Sequence, residues 1–261
     1  MKGGIDRQKG SYLGTEYTDD EIELFLKANG AKYLKLDKRI FSNRVAKLIS
    51  DGNVIGWFNG RMEFGPRALG SRSILGDPRS PQMQSKMNHK IKFREGFRPF
   101  APSVLSEEVG NWFELAGKEK QDDFSSPYML IVGRVKANKL LSEDGATDNA
   151  LGFDRLKSIR SLIPAVTHVD FSARIQTVHK DTNPIFSEMI SAFNEITDCP
   201  VVVNTSFNVR GEPIVESPED AYKCFRRTDM DYLVLGSHLL KKDEQPKFVE
   251  AIDWKTRFDL D

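Results

Sequence analysis

A mixed α/β (α+β) fold is predicted by three observations. Apolar runs of strand length recur at Val54–Phe58, Tyr128–Val132, Pro200–Val203 and Tyr232–Leu235. Between them lie stretches whose apolar residues return every three or four positions behind a capping residue, the mark of amphipathic helices. The two kinds of element alternate along the chain instead of segregating, and no unit repeats.

The elements follow in order. The first twenty residues are polar and Gly-rich without periodicity, so residues 1–17 read as a linker or the remnant of a neighbouring domain. Thr18-Asp19-Asp20-Glu21 opens a helix with Ile22, Phe25 and Leu26 on one face and Gly30 past its end. A second helix is expected over Asn43–Ser50, stopped by Asp51-Gly52-Asn53. The Val54–Phe58 run is a buried strand. Residues 60–103 are rich in Arg, Gly and Pro and poor in long apolar runs, which suits a site loop better than a core. Tyr128–Val132 is a strand and 137–152 a polar loop. His168–Val178 alternates like an edge strand, with Arg174 and Gln176 on one face. Asn183-Pro184 starts a helix whose apolar side carries Ile185, Met189, Ile190, Phe193 and Ile196. Pro200–Val203 is a strand, Ser217-Pro218 opens a helix with Glu219 and Asp220 in its first turn, and Tyr232–Leu235 is the last strand. The body of the domain is 18–240, and 241–261 is a charged tail with Trp254 and Phe258.

Composition excludes several classes of function. Hydrophobic residues make up 39% and charged residues 29%, the balance of a soluble globular domain. Lys+Arg and Asp+Glu both number 38, so neither a general nucleic-acid partner nor a polybasic membrane anchor is expected. No stretch approaches membrane-spanning length, and Cys199 and Cys224 form no C-x-x-C pair. The expected compartment is the cytoplasm.

The usual catalytic motifs fail. Gly65-Pro66-Arg67-Ala68-Leu69-Gly70-Ser71-Arg72 has P-loop glycine spacing but Ser-Arg where Lys-Ser/Thr is needed. His89, His168, His179 and His238 have no metal-ligand spacing, so no metal residue is assigned. What remains is cationic. Arg61, Arg67 and Arg72 crowd one Gly-Pro-rich segment, and Lys92, Arg94 and Arg98 follow. In an extended segment Lys92 and Arg94 would share a face, which suits a phosphate or carboxylate ligand; a solvated basic strand is the competing reading. Val201-Val202-Val203 runs into Asn204-Thr205-Ser206-Phe207-Asn208, where hydroxyls and amides beyond a strand's carboxyl end can hold oxygens of a ligand. A turn satisfying its own backbone is the alternative there.

These segments, in this order, resemble the C-terminal domain of the NodU/CmcH O-carbamoyltransferases of antibiotic and nodulation-factor synthesis. The resemblance runs from about Tyr12 to about Leu240 and rests on four linked motifs. It implies a YrdC-like twisted mixed sheet with flanking helices, marked by a K-x-R pair (Lys92, Arg94) and an S-x-N pair (Ser206, Asn208). It also implies formation of carbamoyl-adenylate from carbamoyl phosphate and ATP with Mg2+. Lys92, Arg98 and Arg67 would then be catalytic, and Arg94, Arg174, Asn204, Ser206 and Asn208 would bind substrate or nucleotide. Members pair this domain with an N-terminal transferase domain that carries an iron site on histidines. A domain or subunit of that type is therefore the expected partner, and the final acceptor hydroxyl is not legible. Two alternatives stay open: a non-catalytic nucleotide- or RNA-binding module, and a threonylcarbamoyl-adenylate synthase.

Overall fold

The computed structural model describes residues 8–114, 124–141 and 159–247. Ten strands form one mixed sheet: β1 (Leu34–Lys35), β2 (Ile55–Phe58), β3 (Arg72–Gly76), β4 (Ala101–Leu105), β5 (Phe113–Glu114), β6 (Ile131–Val135), β7 (Ser172–Val178), β8 (Val201–Ser206), β9 (Tyr232–Leu235) and β10 (His238–Lys241). Their spatial order is β1-β10-β9-β2-β3-β8-β4-β7-β6-β5. Only β2–β9 and β4–β7 pair in parallel; the other neighbours are antiparallel. Both edges are two-residue strands, too short to template pairing with another chain. The expected twisted mixed sheet with flanking helices is therefore what the chain forms.

Helices cover both faces. On one side α2 (Lys38–Ser50) packs along α5 (Pro184–Thr197). Trp57 of β2 is fully buried between them, 5.7 Å from the Phe41 ring and 6.1 Å from Phe186. Burial of one such side chain contributes about 1.5–3 kcal/mol. On the other side α6 (Pro218–Arg227) lies over β2 and β9 with α1 (Asp19–Ala28) behind it. Three caps stand where the sequence puts them: Thr18 and Ser217 in capping boxes, and Asn183 accepting the Phe186 N–H.

Several expectations are corrected. α2 begins five residues early because Asp37 caps it through the Arg39 N–H. The buried face of α5 is Phe186, Met189, Ile190 and Phe193, while Ile185 and Ile196 are exposed. β6 starts at Ile131, not Tyr128, because Met129 holds a left-handed φ of 55° that no strand tolerates. β7 is no edge strand: it sits between β4 and β6. β8 runs on through Asn204, Thr205 and Ser206, pairing them with β3, so those residues are strand and not turn. The supposed site loop at 60–103 contains two buried strands, β3 and β4, hidden in the sequence by Arg72, Ser73 and Ser103 on their inner faces.

The ends are attached over their described residues. The Met62 N–H donates to Thr15 O and the Phe64 N–H to Ser11 O, tying 8–17 to the arginine-rich segment. Lys242 donates to the carbonyls of Phe225, Arg226 and Thr228, closing the carboxyl end of α6. Residues 142–152 of the expected loop and 248–261 of the tail lie outside the described residues.

Candidate functional site: a cationic pocket at the end of β8

Lys92 is not extended. It closes a π-turn (Asn88–Lys92) that continues the short helix α3 (Met83–Met87), and Phe93 follows with φ 49°. The turn drives the Lys92 side chain inward, leaving it 4% exposed. Its ammonium donates to Ser206 O at 2.5 Å, Asn208 O at 2.8 Å and Asn208 Oδ1 at 2.7 Å, with Ser206 Oγ at 3.3 Å. The Ser206 hydroxyl donates to Asn208 Oδ1 at 2.7 Å. The two sequence pairs thus meet, 114 residues apart, through one lysine. Among the described residues no carboxylate pairs with it. Burial pulls the ammonium from its usual range down to about 7; the Cys224 thiol opposes that and Arg94 adds to it.

Arg94 lies beside this tie, with Nε donating to Asn88 Oδ1 at 2.6 Å and the guanidinium over the Phe100 ring. Burial holds its pKa below the usual range; Arg98 and Arg210 press it further down and Glu95 opposes them. Arg98 is exposed and ion-paired to Glu95 at 3.0 Å. Arg210 follows β8 and was not singled out from the sequence. Its Nε and Nη2 are buried with no hydrogen-bond partner. Lys92, Arg94, Arg98 and Arg210 therefore concentrate four cations against Glu95, in a chain whose net charge is zero. Repulsion of this kind is relieved by a bound polyanion.

A second group faces the first along β8. Asn204 and Ser206 are two residues apart on the strand and so share a face. The buried amides around Asn204 can be oriented without ambiguity. Gln176 Nε2 donates to Leu69 O at 2.7 Å, which turns Gln176 Oε1 towards Ser103 Oγ at 2.5 Å and Asn204 Nδ2 at 2.9 Å. Asn204 Nδ2 also reaches Ala68 O and Ser103 Oγ. That leaves Asn204 Oδ1 buried without a donor. On the same face of β7, Arg174 is half-buried, and its Nε has no partner. Burial lowers its pKa first and the nearby Arg67 guanidinium second. Arg67 itself is exposed on the Gly65–Gly70 segment.

That segment is held by a residue the sequence reading missed. Glu63 is buried, and its Oε1 accepts the N–H groups of Leu69 at 2.7 Å, Ser71 at 2.7 Å and Arg72 at 3.2 Å. Gly70 takes φ 103°, and a Cβ there would lie 2.2 Å from the Phe186 ring. Arg72, expected among the site cations, is instead fully buried. It donates to the carbonyls of Thr15, Asn59, Gly60 and Ser71 and stacks 3.5 Å over Phe58. Burial lowers its pKa to about 10, with Glu63 opposing. Among the described residues no group of three or more His, Cys, Asp or Glu could hold a metal ion.

Known proteins share these segments. The family description "Carbamoyltransferase C-terminus" matches residues 46–242. An uncharacterized protein of Synechocystis is 54% identical over 98% of this chain and 41% of its own length. Nodulation protein NolNO of Sinorhizobium fredii is 46% identical over 77% of this chain and 26% of its own. The 3'-hydroxymethylcephem-O-carbamoyltransferase of Amycolatopsis lactamdurans is 33% identical over 75% of this chain and 32% of its own. The chain thus spans less than half the length of these relatives. Among solved structures, full-length HypF in its phosphate- and nucleotide-bound form aligns with 85% of this chain and 22% of its own. Its identity is 16% and its TM-score 0.46, values that carry no functional argument. With its family description covering both cationic groups and the β8 end that joins them, the chain belongs to the carbamoyltransferase C-terminal family.

Proposed function

We propose that this chain forms carbamoyl-adenylate from carbamoyl phosphate and ATP, for O-carbamoylation of an acceptor hydroxyl by a separate transferase region. In that reaction water releases phosphate from carbamoyl phosphate and leaves carbamate. A carbamate oxygen then bonds to the α-phosphorus of ATP as the bond to the β-phosphate bridge breaks, and pyrophosphate leaves. Two anions must be brought together, so positioning and charge stabilisation carry most of the barrier. No covalent nucleophile is required.

The observation that carries this reading is the set of unused donors. Arg210 Nε and Nη2 and Arg174 Nε are buried without acceptors on either side of the Asn204–Ser206 stretch. The Arg94, Arg98 and Arg210 group suits the triphosphate, and Arg67 with Arg174 suits the carbamoyl phosphate. Lys92, with its donors on Ser206 and Asn208, acts in this reading as the residue that shapes the pocket floor and adds charge from beneath. Mg2+ would arrive on the nucleotide's phosphates and not on a protein carboxylate cage. The name of the Amycolatopsis relative supports a carbamoyl donor.

The test is pyrophosphate release from ATP and Mg2+ by the purified chain, with and without carbamoyl phosphate. Release that needs carbamoyl phosphate and falls at least tenfold in Arg174→Ala is expected. Release stimulated instead by threonine with bicarbonate, or no nucleotide binding at all, would overturn the reading.

A further inference from the structure

A groove of about 720 Å3 opens at the amino end of α5, beside the Glu63-held segment. Its volume suits a small organic molecule and exceeds what one inorganic ion fills. Its lining includes Lys9, Asn59, Arg61, Ser71, Asp181 and Ile185.

Donors outnumber acceptors there. α5 has 14 residues, so its amino end carries a substantial partial positive charge. Asn183 caps the Phe186 N–H and Pro184 has none, which leaves the Ile185 N–H as the first-turn donor facing the groove. Ser71 is 3% exposed, yet its hydroxyl has no hydrogen-bond partner, although its backbone is fully engaged with Glu63, Asn59 and Arg72. That hydroxyl is therefore open to the groove, where a ligand oxygen can meet it. Among the described residues Lys9 has no ion-pair partner, and Arg61 has only Glu16 at 3.6 Å between two half-exposed side chains. One carboxylate, Asp181, stands at the rim and opposes a second full negative charge. It would instead accept a hydroxyl of the ligand.

We propose that this groove is a second ligand site, for a monophosphorylated polyhydroxy compound. The phosphate would sit on the Ile185 N–H, the Ser71 hydroxyl and the Lys9 and Arg61 cations. The sugar-like body would lie along Asn59 towards Asp181. Helix amino termini with flanking cations bind phosphate in this manner.

The experiment is calorimetric titration of the chain with glucose 6-phosphate, inorganic phosphate and glucose. Saturable binding of glucose 6-phosphate is expected, with free phosphate weaker and glucose not bound. Lys9→Ala/Arg61→Ala should weaken it at least tenfold and Ser71→Ala several-fold. Arg98→Ala, in the other cationic group, should leave glucose 6-phosphate binding unchanged. The proposal is overturned by no saturable binding of glucose 6-phosphate, or by binding that survives the Lys9→Ala/Arg61→Ala change. It is equally overturned if glucose 6-phosphate binding is lost in Arg98→Ala. Pyrophosphate release reads the other site, so each reading can fail alone.

Discussion

The Glu63–Arg72 segment and the Arg94–Arg98–Arg210 rim are both charged, yet they do opposite things. In the first, the charges are turned inward onto the protein's own groups, although Glu63 Oε2 and Arg72 Nε are buried without a partner. Glu63 holds three backbone N–H groups, and Arg72 holds four carbonyls and an aromatic face. In the second, guanidiniums crowd together, Arg210 keeps two nitrogens without a partner, and among the described residues only Arg98 of the three has a carboxylate in contact. An arginine's role is thus read from what its guanidinium engages, not from its place in a motif: Arg72 donates to four carbonyls and leaves Nε without a partner, whereas Arg210 leaves both Nε and Nη2 without one. Arg72 sits at the end of the most distinctive stretch of sequence and is packed inside the protein. Arg210 drew no notice, yet two of its nitrogens are buried without a partner.

Four predictions would break or sharpen that contrast. The largest effect falls on the scaffold. Glu63→Ala leaves three buried N–H groups unpaired and should cost about 3–5 kcal/mol in denaturant unfolding. Glu63→Gln keeps the accepting oxygen and should cost much less. Equal losses for the two would mean that the three hydrogen bonds do not hold the segment.

Next comes the rim. Arg210→Ala should weaken binding of ATP or pyrophosphate about 10–100-fold, as the loss of a charge-assisted contact implies. Its melting temperature should stay close to the parent's, since two of its nitrogens have no partner to lose. A large fall in stability with unchanged affinity would make Arg210 scaffold after all.

Lys92 stands between the two cases, and pH separates its roles. Its folded pKa of about 7 lies below the free-chain value, so the unfolded chain binds more protons between them. Stability should therefore rise with pH above 7, by up to about 1.4 kcal/mol per unit until the free-chain value is neared. The penalty is fully present below pH 7. Lys92→Met should remove this slope. Pyrophosphate affinity should run the other way, falling above pH 7 as the charge is lost, and should lose that limb in Lys92→Met. A flat difference between wild type and variant from pH 6 to 9 would rule out titration of Lys92 in this range.

The smallest effect is expected at Arg98. It is exposed and already paired to Glu95, so Arg98→Ala should change ATP affinity only about two- to five-fold. A hundredfold loss would move Arg98 from the rim to the centre of the pocket.

Much of this was legible in one dimension. Caps at Thr18, Asn183 and Ser217 sit where local chemistry requires them, because a cap acts within three residues. The apolar cores of β2, β8 and β9 were legible for the same reason: four consecutive apolar residues need burial whatever surrounds them. The K-x-R and S-x-N pairs were recognised as motifs. β3 and β4 were not legible, because their buried polar residues are paid for by partners in distant segments: Ser103 by Gln176 on β7, Arg72 by Thr15 before α1.

Sequence alone, then, determined the mixed class, the principal helices and a set of basic residue types suited to an anion. Tertiary structure decided which of those cations the protein's own groups engage. A side chain's donors are local property, but their acceptors come from anywhere in the chain. Arg72 reaches back 57 residues to Thr15 for one of its four carbonyls, Lys92 finds an acceptor 114 residues away at Ser206, and Arg210 finds no partner for its Nε or Nη2.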